Sequence, residues 1–380
     1  MDGEPIRIAV TGATGFLGKE LVIRVAESGH PHPETHRVTT NVIITAIGRN
    51  KEIAQSLSKL YPDKIKVEIL DLALDSNKQR LVEVIQGQHF VYHSAALCSS
   101  WQRYSNFYDA NVKATQNIVD ACLQNKSLHR LVHVSSPSIY TTGYERKNIT
   151  EKSEIPSIPN QINDYSRTKL MAEVVVKKAF EEHKLPVVTV RPRAIYGRGD
   201  NALLPKMIEA LRTRRLVNLE SDPNKLQIYT DLTHVSDAVE AMICASISPD
   251  NTLGKFYNVT SGESIALYTL IRKISKQLMD VDLILTEKDR KLYKNAWEPR
   301  RMSFNKLYYI GLLLEWFYAI MGWYEQDCPM TRYSASVLGT SITCDISLAR
   351  EELNYTPKMR IEDGIQDTLE FWRTQLKSSL

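Results

Sequence analysis

The sequence predicts a doubly wound α/β fold, a parallel sheet with helices on both faces and a smaller C-terminal substrate-binding lobe over its strand ends. Three observations predict it. Apolar runs bounded by turn residues recur at residues 6–10, 41–47, 65–70, 90–94, 130–135 and 186–191, separated by helix-length segments. The first run passes directly into a glycine turn and an amphipathic pattern. Past Asp200 the regular alternation lapses, and 380 residues are enough for a second lobe.

The first element carries the most information. Residues 6–10 read as a strand, and Thr11-Gly12-Ala13-Thr14-Gly15-Phe16-Leu17-Gly18 follows. Gly12 permits the tight turn, Gly15 lets backbone approach a pyrophosphate, and Gly18 lets the helix pack closely on the strand. Thr14, Phe16 and Leu17 then stand at a helix N-terminus with free N–H donors. Strand, glycine turn and helix together mark a Rossmann-type dinucleotide site. The helical pattern Leu17, Leu21, Val22, Val25 stops at Gly29. Residues 30–41, with His30, His32, His36 and two prolines, read as a solvated crossover loop rather than a metal site.

At the end of the second strand an acidic residue usually holds the adenosine ribose of NAD. Here that place falls on Gly48, and Arg49 follows. Loss of the carboxylate and gain of a cation favour the 2′-phosphate of NADP, with NAD still open. Asp71 and Leu72, closing the third strand, face the adenine side.

Asn163 and Asp164 can cap a helix running to about Glu182. On it, Tyr165 and Lys169 share one face at i, i+4 spacing. A secondary alcohol yields hydride only if its proton leaves too, and a phenol with a pKa near ~10 is a poor base at neutrality. A nearby ammonium favours its phenolate. Ser136, at the end of the preceding strand, can orient the substrate oxygen and stabilise charge on it.

These features resemble the extended short-chain dehydrogenase/reductase superfamily, which includes the epimerases and dehydratases that use NAD, over nearly the whole chain. The resemblance implies a catalytic set of Ser136, Tyr165 and Lys169, with Lys169 also holding the nicotinamide ribose. Ser94, Ala95 and Ala96 resemble its cofactor-side strand end, and Asn111 an asparagine of the next helix. Arg191 to Gly197, with Pro192 and Ile195, resembles the segment beside the nicotinamide. Asp231 to Asp237 resembles the strand returning to the sheet. Ser138, Arg193 and Arg198 are candidate substrate residues, the two arginines being basic groups near the pocket mouth that could receive a carboxylate. Pro137 departs from the small residue usual after the serine pair. A homodimer rests on the resemblance alone.

Two branches are open, sugar-nucleotide epimerases and dehydratases or 3β-hydroxysteroid and sterol-carboxylate dehydrogenases. The ending, from Thr331-Arg332-Tyr333 through Asp345-Ile346-Ser347 to Tyr355-Thr356-Pro357, resembles the second branch. A bacterial dehydrogenase of β-hydroxy acids in long-chain olefin synthesis is similar. This implies a bulky lipophilic substrate, either a 3β-hydroxysteroid, a sterol carboxylate or a long-chain β-hydroxy acid. The rivals are an epimerase retaining NAD and a non-catalytic protein that binds NADP. Residues 287–306 hold seven cationic side chains against three acidic ones and run into the apolar stretch 307–323, which Glu315 interrupts. That stretch is short for a bilayer span. A peripheral membrane contact through 287–323, a core helix and a pocket lid remain open.

The expected division is 1–198 with 231–262 as the dinucleotide-binding domain, and 199–230 with 263–380 as the substrate lobe. Within the latter, residues 203–215 read as a helix. Net charge +4 and a pI near 8.6 give no reason to expect nucleic-acid binding. Five scattered cysteines without a Cys-x-x-Cys pair argue against zinc and for a reducing compartment, and no signal peptide is legible. A cytoplasmic protein, peripheral to a membrane at most, is the expectation.

Overall fold

The computed structural model describes residues 4–212, 215–219, 227–280 and 300–378. Seven strands form the central sheet: β1 (Ile6–Thr11), β2 (Val42–Gly48), β3 (Ile65–Ile69), β4 (Phe90–His93), β5 (Arg130–Val134), β6 (Val187–Pro192) and β7 (Phe256–Val259). Their order is β7-β6-β5-β4-β1-β2-β3, and every pairing is parallel. The strands are rich in Val, Ile and Ala because helices cover both faces. One core joins Ile8, Val10, Leu21, Val25 and Tyr257, while Ala9, Val91, Ile118, Leu131 and Val176 fill the other. The order reverses between β1 and β4, so the crevice opens at their carboxyl ends.

Among the described residues the longer helices are α1 (Phe16–Ser28), α2 (Lys51–Leu60), α3 (Lys78–Ile85), α4 (Ala114–Gln124), α5 (Asp164–His183), α6 (Leu203–Arg212), α7 (Val235–Ser246), α8 (Leu267–Asp280), α9 (Phe304–Ile320), α10 (Arg332–Gly339), α11 (Ser347–Leu353) and α12 (Ile361–Ser378). A smaller four-stranded sheet takes Arg146–Ile149, Ile342–Cys344, Tyr229–Asp231 and Ser264–Ala266 from distant parts of the chain. Above it, Leu204, Leu216, Tyr268, Ile271, Leu307 and Ile365 form a third core. The C-terminal part also serves the main sheet, since Ile346, Ala349, Leu353 and Tyr355 lie in the core with β1 and α1.

Three expectations are corrected. Residues 231–237 do not supply the strand that rejoins the large sheet; Phe256–Val259 does, beside β6. The 231–237 stretch forms the short strand Thr233–His234 and then enters α7, because His234 Nδ1 accepts from Ser236 N and caps the helix. The loop at residues 30–41 is not wholly solvated. Its ends pair as Pro31 with Val38 and His30 with Thr39, and His30 is fully buried, 2.6 Å from the Tyr92 hydroxyl. The expected helix at 203–215 ends at Arg212, and residues 213–214 lie outside the described part.

Candidate active site

The glycine turn is shaped by steric exclusion. Gly12 has φ +71°, and a Cβ there would stand 2.8 Å from the Ala95 amide nitrogen. A Cβ on Gly18 would collide with the Gly12 carbonyl and the Ser94 hydroxyl. Gly15 caps α1 without any side-chain hydrogen bond, so the first N–H groups of α1 point to the crevice unclaimed by a cap. An uncapped helix end beside a backbone cradle fits the pyrophosphate of a dinucleotide. The β4 end closes the cradle. Ser94 Oγ donates to the Thr11 carbonyl at 2.7 Å, and Ala95 N to Thr11 Oγ1 at 3.4 Å. Ala96 is exposed along the crevice.

At the adenosine end, Thr14 packs on Gly48, where a Cβ would lie 2.5 Å from Thr14 Oγ1. Arg49 and Asp71 are brought together, 3.6 Å apart and both open to solvent. Asp71 Oδ1 also accepts from Ala73 N, which fixes the turn after β3, and Leu72 is buried with its carbonyl accepting from Asn117.

The middle of the site rests on a π-helical turn, Tyr108–Lys113, which leads into α4. Asn111 on this turn is buried. Its Oδ1 accepts from Leu97 N at 2.7 Å, and its Nδ2 donates to Leu97 O and to Thr168 Oγ1. One amide therefore ties the loop after β4 to α5. Asn163 caps α5 by accepting from Ser166 N, as the spacing predicts.

Tyr165 lies within hydrogen-bonding reach of Ser136 and of Cys98. Burial pushes its phenol well above the ordinary range, Cys98 and Tyr333 add to the rise, and the Ser136 hydrogen bond opposes it. Lys169 is buried below, with Nζ donating to the Val134 carbonyl at 2.6 Å. Loss of solvent lowers its pKa to about 8, against the opposing pull of Glu173 and Cys98. Ser136 caps the 3₁₀ turn Pro137–Tyr140 by accepting from Ser138 N, and Pro137 occupies the first position of that turn, which suits its fixed φ. The departure at Pro137 thus stiffens the serine's support.

The Ser138 hydroxyl is buried and has no hydrogen-bond partner among the described residues. Arg193 is buried, with Nη2 on Thr230 Oγ1 at 3.2 Å and Nε without a partner among the described residues. Arg198 is instead 60 % exposed and held by the carboxylate of Asp367 on α12, 2.8 Å away. Ile195 forms a short strand with Thr233, and Pro192 ends β6. Two site neighbours escape the sequence reading. Cys98 opens onto the crevice, and burial by the surrounding protein raises its thiol pKa. Tyr333, from α10, is pushed up to about 12 by burial and by Cys98, with Arg193 opposing. No spacing signals either one, since both reach Tyr165 from loops or helices remote in sequence.

A parallel sheet of this order, with a dinucleotide cradle at the switch point and a Ser-Tyr-Lys cluster beside it, defines a protein of the short-chain dehydrogenase/reductase class. Residues 8–260 match the model described as the NAD dependent epimerase/dehydratase family, and the chain belongs to that family. The family is one of enzymes that use a nicotinamide dinucleotide. Among its relatives, a 2-alkyl-3-oxoalkanoate reductase of Stenotrophomonas maltophilia (strain K279a) is 26% identical over 95% of this chain and 98% of its own. A 3beta-hydroxysteroid-dehydrogenase/decarboxylase isoform 1 of Arabidopsis thaliana is 25% identical over 95% of this chain and 78% of its own. The UDP-glucuronic acid 4-epimerase of Bacillus cereus, solved with UDP-glucuronic acid and NAD, shares the fold at a TM-score of 0.67 and 17% identity, over 97% and 99% of the two chains.

Proposed function

We propose that the protein interconverts a secondary alcohol and a ketone on a bulky lipophilic substrate, a 3β-hydroxysteroid, a sterol carboxylate or a long-chain β-hydroxy acid. The observation that carries this reading is the Tyr165 hydroxyl within reach of Ser136, at the edge of the dinucleotide cradle and above a buried Lys169. Relatives named for 2-alkyl-3-oxoalkanoates and 3β-hydroxysteroids, matched along most of this chain, support the substrate class. Residues 1–198 with 231–262 would hold the nucleotide, and 199–230 with 263–380 the substrate, apart from 346–355, which pack with the nucleotide-binding sheet.

A nicotinamide dinucleotide, when bound, supplies or takes the hydride. Gly12, Gly15, Gly18 and the first turn of α1 would hold its pyrophosphate, and Arg49 a 2′-phosphate, which favours NADP. In ketone reduction Tyr165 delivers its proton to the carbonyl oxygen. A phenol kept protonated by burial suits that step. Ser136 donates to the same oxygen and steadies the negative charge developing on it. Lys169 carries positive charge below about pH 8 and thereby eases loss of the Tyr165 proton. Arg193, buried beside Tyr333, would receive a substrate carboxylate; Arg198 is already committed to Asp367.

The test is nicotinamide absorbance with purified protein, NADPH or NADH, and three substrates: a 3-ketosteroid, a long-chain 2-alkyl-3-keto acid and a UDP-hexose. Oxidation of NADPH by either lipophilic ketone supports the reading and selects the branch. Silence with both ketones, together with conversion of the UDP-hexose on retained NAD, overturns it in favour of an epimerase.

A further inference from the structure

An apolar segment interrupted by a carboxylate reads as an awkward membrane contact, yet the structure removes the awkwardness. Glu315 points inward from α9. Its Oε1 accepts from the Arg332 backbone N–H at 2.6 Å and its Oε2 from Arg332 Nε at 2.7 Å, and its side chain is 11% exposed. Gly311 lies on the same inner face, against the backbone of Thr331 and Arg332, where a Cβ would not fit. Leu307 completes that face in the third core. So α9 is held by its small and charged positions.

The outer face carries the opposite chemistry. Tyr309, Leu312, Leu313, Trp316, Phe317 and Ile320 are all exposed, Leu313 at 65% and Trp316 at 68%, and no charged residue lies among them. They recur at three- and four-residue steps, so they form one continuous ridge. A contiguous exposed ridge of large apolar side chains normally marks a surface that meets protein or lipid. At 17 residues α9 is short for a span, and no described helix is long and apolar enough to cross a membrane.

The surroundings favour a lipid surface. Arg301 and Lys306, exposed at the start of α9, would meet anionic headgroups, and the ridge mixes aliphatic side chains with aromatic rings suited to the headgroup boundary. The far end of α9 is fastened to the site. Trp101 Nε1 donates to the Trp323 carbonyl at 3.0 Å, and its ring stacks on Tyr324 at 5.6 Å between centroids. Trp101 stands three residues after Cys98, which reaches Tyr165.

We propose that α9 lies in the surface of an anionic bilayer on its Tyr309–Leu313–Trp316–Ile320 ridge, with the 97–103 side of the crevice turned toward the lipid. This docking does not depend on which ketone or alcohol is turned over.

Co-sedimentation of the full chain with mixed phosphatidylcholine–phosphatidylserine vesicles and with pure phosphatidylcholine vesicles tests it, at low and high salt. Binding to the mixed vesicles is expected, weakened by salt or by removal of the anionic lipid. The double substitution Leu313→Glu with Trp316→Glu should reduce partitioning roughly tenfold or more. Both side chains face solvent, so folding, read by circular dichroism, should be kept. Trp316 fluorescence should shift to the blue on vesicles. Absence of binding to either vesicle, or equal binding of the double variant, overturns the proposal. So does a dimer in solution that the double variant dissociates, which would assign the ridge to a second copy of the chain.

Discussion

Tyr165 and Lys169 share a helix face, but their electrostatic situations oppose one another. Burial raises the phenol well above its ordinary range, and burial lowers the ammonium to about 8. Each charged form lacks the water that would support it. Tyr165→Phe removes the proton donor while preserving the ring, so kcat for ketone reduction should fall by roughly 10²- to 10⁴-fold with nucleotide affinity nearly unchanged. Stopped-flow turnover and nucleotide titration check the two halves. Lys169 is charged below about pH 8 and neutral above it. Reduction should therefore hold through neutrality and decline as pH rises past about 8, and Lys169→Met should lower the plateau and erase that decline. A pH–rate profile with the same limb in the variant would exclude Lys169 as its source. The spacing of the pair is legible in the sequence. Its energetics are not, because the Val134 carbonyl, Cys98 and Tyr333 come from other elements.

At the scale of elements, the site is positioned by a few polar clamps between secondary structures. Arg191 on β6 makes two hydrogen bonds to the Glu173 carboxylate on α5, at 2.7 and 2.6 Å, and a third to the Tyr140 hydroxyl. Both charges are almost completely buried. Glu173→Ala leaves the guanidinium without its counter-charge and should cost about 3–5 kcal/mol in urea unfolding. Glu315→Ala, by freeing the Arg332 amide and guanidinium at a less buried site, should cost about 1–3 kcal/mol and loosen α9 on α10. A value near zero for either would mean that packing alone docks the element. The six early strands are legible because buried parallel strands are apolar runs, and α5 because Asn163 is a strong cap. The π-helical turn around Asn111 is not, since its extra residue arises from packing against α5 and the loop after β4 rather than from local propensity. The inward turn of Glu315 is equally hidden, because its partner Arg332 is seventeen residues away.

For the whole molecule, the sheet and the short hairpin beside it hold buried neutral histidines that bear on acid stability. Burial lowers His30 to about 4 and His93 to about 3, and takes His133 well below the ordinary range. His93 bridges Thr11 and Thr115 and stacks on His133 at 5.9 Å, so protonation in place would put buried cations side by side at the carboxyl ends of β4 and β5. The folded pKa values lie below the unfolded value of about 6.5. Their contribution is fully present above pH 6.5 and is lost as pH falls toward 4, because the unfolded chain binds protons that the folded chain refuses. Each histidine costs up to ~1.4 kcal/mol per pH unit in that window, and three together over two units approach the ~5–15 kcal/mol stability of a typical domain. Buried Asp231 and Asp237 and half-buried Glu151 have raised pKa values and act in the opposite sense, offsetting part of the histidine loss as pH falls toward the carboxylate range. The melting temperature should be level from pH 8 to 7 and then drop below 6, with net proton uptake on unfolding. His133→Asn should remove about one proton from that slope. A melting temperature that stays level to pH 5 would show that these imidazoles gain charge without opening the sheet.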